Sequence, residues 1–308
     1  MKKIFISVIV FIISLSTSAN SLKIGFYNLE NLFDTQHDLH HQDWTYTPYS
    51  NAKKIPGCLK IKHHWYRKKC LKTDWNAAKL KKKIGLIKKM LADENLDILA
   101  VSEIENTKVL AMLAKAMGFK NFFLGVGKDK RGIHNAILYK DSVKLIKQLS
   151  HYPSDEYFSY FPTRSILQGQ FKYKKETFSL FVNHWPSQYK STFSRKLMVK
   201  FLNKITTLTN EKVIALGDFN TIKKEQHIFN DLKLVELTNN FAGTYYLKSK
   251  KKWEHLDRIF LSKNLLDGNG PLYQKNSFKI KFRQRKGKIS RALSFKASDH
   301  LPLIIQLK

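Results

Sequence analysis

The chain has 308 residues, 43% of them hydrophobic, with 55 Lys and Arg against 24 Asp and Glu, a formal charge of +31. Such a charge concentrates polyanions at the surface and speeds their capture, so nucleic acid, anionic membrane surfaces and cell-wall polymers are the natural partners. Beyond the N terminus no apolar stretch approaches the roughly 20 residues needed to cross a bilayer. That excludes a polytopic membrane protein, and the lack of any Pro/Gly/Ser-rich linker, repeat or low-complexity tract argues for one domain.

The N terminus reads as an export signal: Lys2 and Lys3, an apolar run over 4–15, then the small residues Thr17, Ser18 and Ala19. Cleavage after Ala19 is expected, giving a mature chain of 20–308 with the charge reduced by two lysines, from +31 to +29. A secreted or periplasmic location follows. The run is short for a membrane anchor, and no cysteine lies close behind it.

Residues 22–27 form an apolar strand ending at Asn28. From about 35 to 76 the chain is irregular and rich in His and Lys, and reads as one long surface loop. It holds the only two cysteines, Cys58 and Cys70. An oxidising compartment favours a disulfide between them, with two free thiols, or a zinc site using His63 and His64, as alternatives. Leu80, Ile84, Ile87 and Leu91 then recur at helical spacing, with Lys81, Lys82, Lys83, Lys88 and Lys89 on what reads as a solvated face. A buried strand is expected over 97–104 and a helix over 108–117, stopped by Gly118.

Strands follow at 136–139, 169–173, 177–183 and 213–216, with a helix over 194–209, and further strands at 258–262, 278–283 and 303–307. Alternation of this kind indicates a layered α/β domain. From 268 to 298 there is no acid at all. Within it Lys279, Lys281, Arg283 and Arg285 alternate with Phe278, Ile280 and Phe282, and a turn at Lys286-Gly287-Lys288 would lead to a return strand containing Arg291. This basic hairpin is either a solubilised sheet edge or a grip on a phosphate backbone.

Polar clusters fall where strands end: Asn28 with Glu30 and Asn31, Glu103 with Glu105, Asn183-His184, Gly217-Asp218-Phe219-Asn220, and Ser298-Asp299-His300. Each alone could be a turn. In the Gly-Asp-Phe-Asn step, glycine permits a tight exit from a buried strand and presents a carboxylate and an amide two residues apart. Together and in this order, with Phe26-Tyr27-Asn28-Leu29-Glu30-Asn31 continuing into Leu32-Phe33-Asp34, Ser102-Glu103-Ile104-Glu105, Asn183-His184-Trp185-Pro186-Ser187 and Leu256-Asp257-Arg258, they resemble the DNase-I-like endonuclease/exonuclease/phosphatase family, in its exported bacterial branch. That family includes DNase I, abasic-site endonucleases, sphingomyelinases and inositol phosphatases, and the resemblance spans nearly the whole mature chain.

The resemblance implies a four-layer α/β sandwich, two packed mixed β-sheets flanked by helices, with a divalent metal at one edge. It makes Glu103 the main metal ligand, with Asn28 and Asp299 nearby. Glu105 is expected on the same strand face as Glu103 and competes for that role. Oxygen donors of this kind suit one or two Mg²⁺ or Mn²⁺ ions. His300 becomes the catalytic histidine and Asp257 its partner carboxylate, which would fix the imidazole tautomer and stabilise its cation. Asp218 would position or deprotonate water, Asn220 would hold a phosphate oxygen, and His184 would donate to developing charge. Arg164 matches a frequent family arginine, as a phosphate contact or a structural salt bridge, and Asn135 is expected to face the site. The implied activity is hydrolysis of phosphodiesters, with DNA (or RNA) as substrate at low sequence specificity; a phospholipid phosphodiesterase or phosphoinositide phosphatase is the alternative. A monomer without an obligate protein partner is expected.

Overall fold

The computed structural model describes residues 21–209, 211–238, 241–267 and 273–308; the segment read as a signal, 1–19, lies outside them. In chain order the strands are β1 (Leu22–Leu32), β2 (Ile98–Ile104), β3 (Asn121–Leu124), β4 (His134–Tyr139), β5 (Lys144–His151), β6 (Ile166–Tyr173), β7 (Glu176–His184), β8 (Lys212–Asp218), β9 (Val235–Glu236), β10 (Tyr245–Leu247), β11 (Lys252–Glu254), β12 (Asp257–Leu261), β13 (Lys279–Ile280), β14 (Gln284–Arg285), β15 (Lys288–Ile289) and β16 (Leu303–Leu307). The helices are α1 (Lys54–Leu59), α2 (His64–Lys72), α3 (Ala77–Leu91), α4 (Thr107–Met117), α5 (Tyr157–Tyr160), α6 (Thr192–Thr207) and α7 (Arg291–Ser294).

Two mixed sheets form the centre, one in the order β13-β16-β1-β2-β4-β3 and the other β5-β6-β7-β8-β12-β9. Each contains one parallel pair, β1 with β2 and β7 with β8, among antiparallel neighbours. Alternation along β7 and β8 separates two cores. Leu180, Val182, Ile214 and Leu216 join the core shared with the first sheet, whereas Phe181, Val213 and Ala215 pack with Leu197, Met198 and Leu202 of α6. On the other side, Leu80, Ile84, Ile87 and Leu91 of α3 are buried in the core of the first sheet. The result is an α/β sandwich of two sheets with helices outside.

Local signals place the helix ends. Asn76 and Asn106 accept from the amides of Lys79 and Val109 as N-caps of α3 and α4, and Gly118 closes α4 in the left-handed region at φ 79°. Two expectations are corrected. The 35–76 segment is not simply irregular: it contains α1 and α2, pinned by a Cys58–Cys70 disulfide with Cα atoms 5.6 Å apart, which sets aside free thiols and a zinc site there. Cys70 is the buried residue of α2, so the helix has no apolar stripe for periodicity to reveal. The basic hairpin is also different. Only Lys279–Ile280 pairs with the sheet, at β16, the turn joins β14 to β15, and Arg291 begins α7. The Nζ atoms of Lys279 and Lys281 lie 2.7 Å from Glu94, and Lys281 also meets Asp93 at 2.6 Å, so these cations hold the sheet edge to the end of α3. The edge strand β5 went unnoticed because most of it is exposed on both faces.

Gly217 stands on β8 at φ 150°, and a Cβ there would lie 2.1 Å from the carbonyl oxygen of Asn183 on β7. Backbone atoms cannot yield cheaply, so Gly217→Ala is expected to destabilise the fold by about 2–4 kcal/mol. Urea unfolding checks this; a change under about 0.5 kcal/mol would show that the two strands tolerate separation.

Candidate active site

Strand register assembles the first half of the site. In β7, β8 and β12, His184 pairs with Asp218 and Asp218 with Asp257, so three reactive side chains stand in one row at the ends of neighbouring strands. In β1, β2 and β4 the matching row is Asn28, Ser102 and Asn135. The rows meet between the sheets. Asn28 Nδ2 donates to Asp218 Oδ2 at 3.0 Å, and Asn135 Nδ2 donates to the carbonyls of Ser165 and Val182 at 3.0 and 3.1 Å. Asn135 therefore ties the sheets together beneath the site.

The loop before β16 supplies the rest. Ser298 Oγ donates to the carbonyl of Asn28 (2.7 Å) and accepts from the His300 amide (3.1 Å). His300 Nδ1 then donates to Asp257 Oδ2 at 2.7 Å, and its Nε2 lies 3.9 Å from both Asp218 Oδ2 and Asp299 Oδ1. Burial opposes a charged imidazole, but Asp257, Asp218 and Asp299 together outweigh it and lift the His300 pKa well above its ordinary value. Burial raises Asp218 to about 7, against the pull of His300. For His184, burial and the nearby Arg164, Arg131 and His300 push the pKa well below normal, so the ring is neutral. Its Nε2 is 3.6 Å from Glu103 Oε1 and 3.7 Å from Asp218 Oδ2.

Four of the nine non-glycine residues with positive φ among the described residues lie here. Glu30, Asn31, Glu103 and Asn220 all adopt positive φ, between 48° and 62°, at a cost of order 1 kcal/mol or more each for non-glycine residues. The pairing of β1 with β2 shifts register between Asn28 and Leu32, and that of β2 with β4 between Ser102 and Ile104. These bulges re-aim the side chains at the strand ends.

The second half of the site is a carboxylate group. Burial, then Asp299 and Glu103, raise the pKa of Glu30, and burial with Glu103 raises Asp299 despite His300. Lys83 stands against these acids, its Nζ donating to the Glu30 carbonyl at 2.5 Å; burial lowers its pKa although Glu30, Glu103 and Asp299 oppose the change. Mutually repelling carboxylates lined by an amide oxygen are the donor set of a hard divalent cation. Glu103, Asp299 and Glu30 have the donor chemistry of an Mg²⁺ or Mn²⁺ site, and the Asn28 oxygen, which accepts from the Glu30 amide at 3.0 Å, is a further donor, although among the described residues these carboxylates do not bring three ligand atoms within 4.8 Å of one another. Asp218, Asp257 and His300 do bring three ligand atoms within 4.8 Å of one another, but there His300 Nδ1 already donates to Asp257 Oδ2.

Other expected residues find different surroundings. Glu105 leaves the strand face of Glu103 and accepts from the Asp34 amide at 2.7 Å, its pKa raised to about 8 by burial and then by Asp34, Asp43 and Asp38. Arg164 is 6% exposed and donates to Asp129 (2.7 Å) and to the carbonyls of His184 (3.1 Å) and Trp185. It is a structural clamp behind His184, which replaces the phosphate-contact reading. Asn220 uses one amide N–H on the Trp185 carbonyl at 3.1 Å, while its backbone N–H donates to Asp218 Oδ1 at 2.8 Å. Lys83, read as part of a solvated face, and Arg131, beside Asp129 and Glu103, were missed. Nothing in a lysine-rich helix distinguishes the one lysine that points inward.

The fold has counterparts among solved structures. Zebrafish TDP2 complexed with a single-strand DNA product superposes with a TM-score of 0.61 at 14% identity, covering 94% of this chain and 99% of that one. An endonuclease/exonuclease/phosphatase family protein from Bacteroides thetaiotaomicron gives 0.57 at 16% identity over 94% and 97%. The human Nocturnin catalytic domain with bound sulfate gives 0.56 at 13% identity over 94% of each chain. No curated protein matches the sequence closely enough to count as a relative. The model of one sequence family matches residues 23–308, and the chain thus belongs to the Endonuclease/Exonuclease/phosphatase family.

Proposed function

We propose that the protein is an exported, metal-dependent nuclease that hydrolyses phosphodiester bonds of DNA with low sequence specificity. The observation that carries the reading is the convergence of the His300–Asp257 pair, Asp218 and His184 on one carboxylate-lined edge, in a chain with a charge of +31. Nucleic acid supplies both the ester and the polyanion. The zebrafish TDP2 structure holds a single-strand DNA product, which supports the same substrate class.

Asp218, near neutrality in pKa, takes a proton from the attacking water or orients it as its oxygen bonds to phosphorus, while the ester P–O bond in line with it breaks and the departing oxygen takes a proton from solvent. His300, held as the imidazolium by Asp257, donates to a phosphoryl oxygen as negative charge develops there. Neutral His184 adds an N–H donor, and the free amide N–H of Asn220 holds a second oxygen. Glu103, Asp299 and Asn28, with Glu30 beside them, would hold Mg²⁺ or Mn²⁺, which would supply Lewis-acid stabilisation of the phosphoryl charge. Phosphate contacts from surface lysines carry no base information, so low specificity and steep salt dependence follow.

Closed-circular plasmid is expected to be nicked and linearised with Mg²⁺ or Mn²⁺, left intact with EDTA, and cut about 10²- to 10⁴-fold more slowly by His300→Ala. Intact plasmid with every metal would remove the DNA endonuclease reading and leave RNA, DNA ends and phospholipids as substrates to test.

A second expectation concerns His300 itself. Its folded pKa lies above the ordinary value, so the stability this pair contributes is complete below about pH 6.5 and is lost as pH rises through the folded-state pKa. Asp257→Asn should bring the titration of His300 down and flatten that dependence. Histidine NMR titration of the metal-free protein, assigned with His300→Ala, measures it; an unmoved pKa would mean that Asp257 does not hold the imidazolium.

A further inference from the structure

α2 is a helix of nine residues that carries Cys70 of the disulfide and has no role in the proposed catalysis. Residues 52–72 contain eight Lys and Arg and no acid. One of these, Lys54, is buried and donates to the carbonyls of Trp44 and Thr47 at 2.8 and 2.7 Å, so it is structural; the others are available to solvent. Trp65 and Tyr66 are 57% and 47% exposed and meet edge-to-face at 5.0 Å. Lys69 lies one turn on, its Nζ 5.7 Å from the Trp65 ring. Along the same helix runs a groove of about 280 Å³ lined by His64, Arg67, Lys68, Leu71 and Lys72.

The platform is rigid and placed beside the site. Cys70 is bonded to Cys58, and Tyr49 Oη donates to the Leu71 carbonyl at 2.8 Å. α2 packs against residues 44–46, and the Tyr46 ring stacks 4.1 Å from Phe33, directly after the β1 end that carries Asn28 and Glu30. Apart from each other and His63, which the Tyr66 ring meets at 4.9 Å, these two large rings keep about half their surface open to solvent. Interleaved with cations, they match the chemistry of a single strand, whose unstacked bases offer ring faces while its phosphates meet the lysines. Duplex bases are already stacked on one another, and a rigid helix offers them only charge.

We infer that α2 is the wall that holds a single-stranded flank of the substrate, Trp65 and Tyr66 stacking on its bases and Arg67, Lys68 and Lys69 contacting its phosphates. This rests on the nuclease reading for its choice of substrate but is tested by binding, without turnover. The probe is a fluorescent oligodeoxythymidylate of about 20 nucleotides, long enough to span a typical single-strand site, titrated in EDTA against the full chain carrying His300→Ala. Adding Trp65→Ala and Tyr66→Ala is expected to weaken binding about tenfold or more, while a duplex of equal length changes less. Trp65→Phe with Tyr66→Phe should retain binding and guards against a loss of fold in the alanine variant. Equal affinity of the alanine variant for the single strand would overturn the inference, as would aromatic-dependent binding to phosphatidylglycerol vesicles with no binding to the oligonucleotide. The unmutated chain cleaving no nucleic acid with Mg²⁺ or Mn²⁺ is a separate outcome: it removes the nuclease reading, whereas the titration reports on α2 alone.

Discussion

Asp218 is 2% exposed at the junction of the two sheets, and among the described residues no lysine or arginine lies within ion-pair distance of it. A carboxylate so placed is costly unless hydrogen bonds and nearby charge compensate its lost hydration. Asn28 from the other sheet, the Asn220 amide from its own loop, and His300 across the cleft provide that compensation. Each donor is fixed in turn: Asn28 by Ser298 and the bulge at Glu30, His300 by Asp257. The two sheets cannot shift against each other without exposing this chain of contacts.

The sandwich suits such a site because its two parallel pairs end on the same side. β1 with β2 delivers Asn28 and Glu103, and β7 with β8 delivers His184 and Asp218. Strands supported on both faces by apolar cores hold these groups far more tightly than loops could. The local strain at Glu30, Glu103 and Asn220 is borne by that surrounding packing. Charge is divided between two tasks. Arg164 and the Lys279–Lys281 edge are neutralised by acids and hold the structure, whereas the cations of α2 remain open to solvent beside the cleft.

Periodicity made α3, α4 and most central strands legible, with boundaries displaced by a few residues. The hydrophobic positions of α3 and the stop at Gly118 were readable because both depend on neighbours within a turn. α2 was not readable, since its support is a covalent cross-link and not an apolar stripe. The end of β1 was placed too early, at Asn28, because the bulge through Glu30 and Asn31 hides its continuation to Leu32.

The polar clusters holding Asn28, Glu103, His184, Asp218 and His300 are visible at strand ends in the sequence, but each alone could be a turn, and their order together with the resemblance to the family singles them out and adds Asp257. Register, burial and partner choice belong to the tertiary structure. Lys83 reaches Glu30 across 53 residues, Arg164 finds Asp129 across 35, and Lys281 finds Asp93 across 188. A lysine or arginine looks the same in sequence whether its charge meets solvent, a carboxylate or a substrate. Only folding brings the opposing groups within a few ångströms, and the energy of a charge depends on what surrounds it.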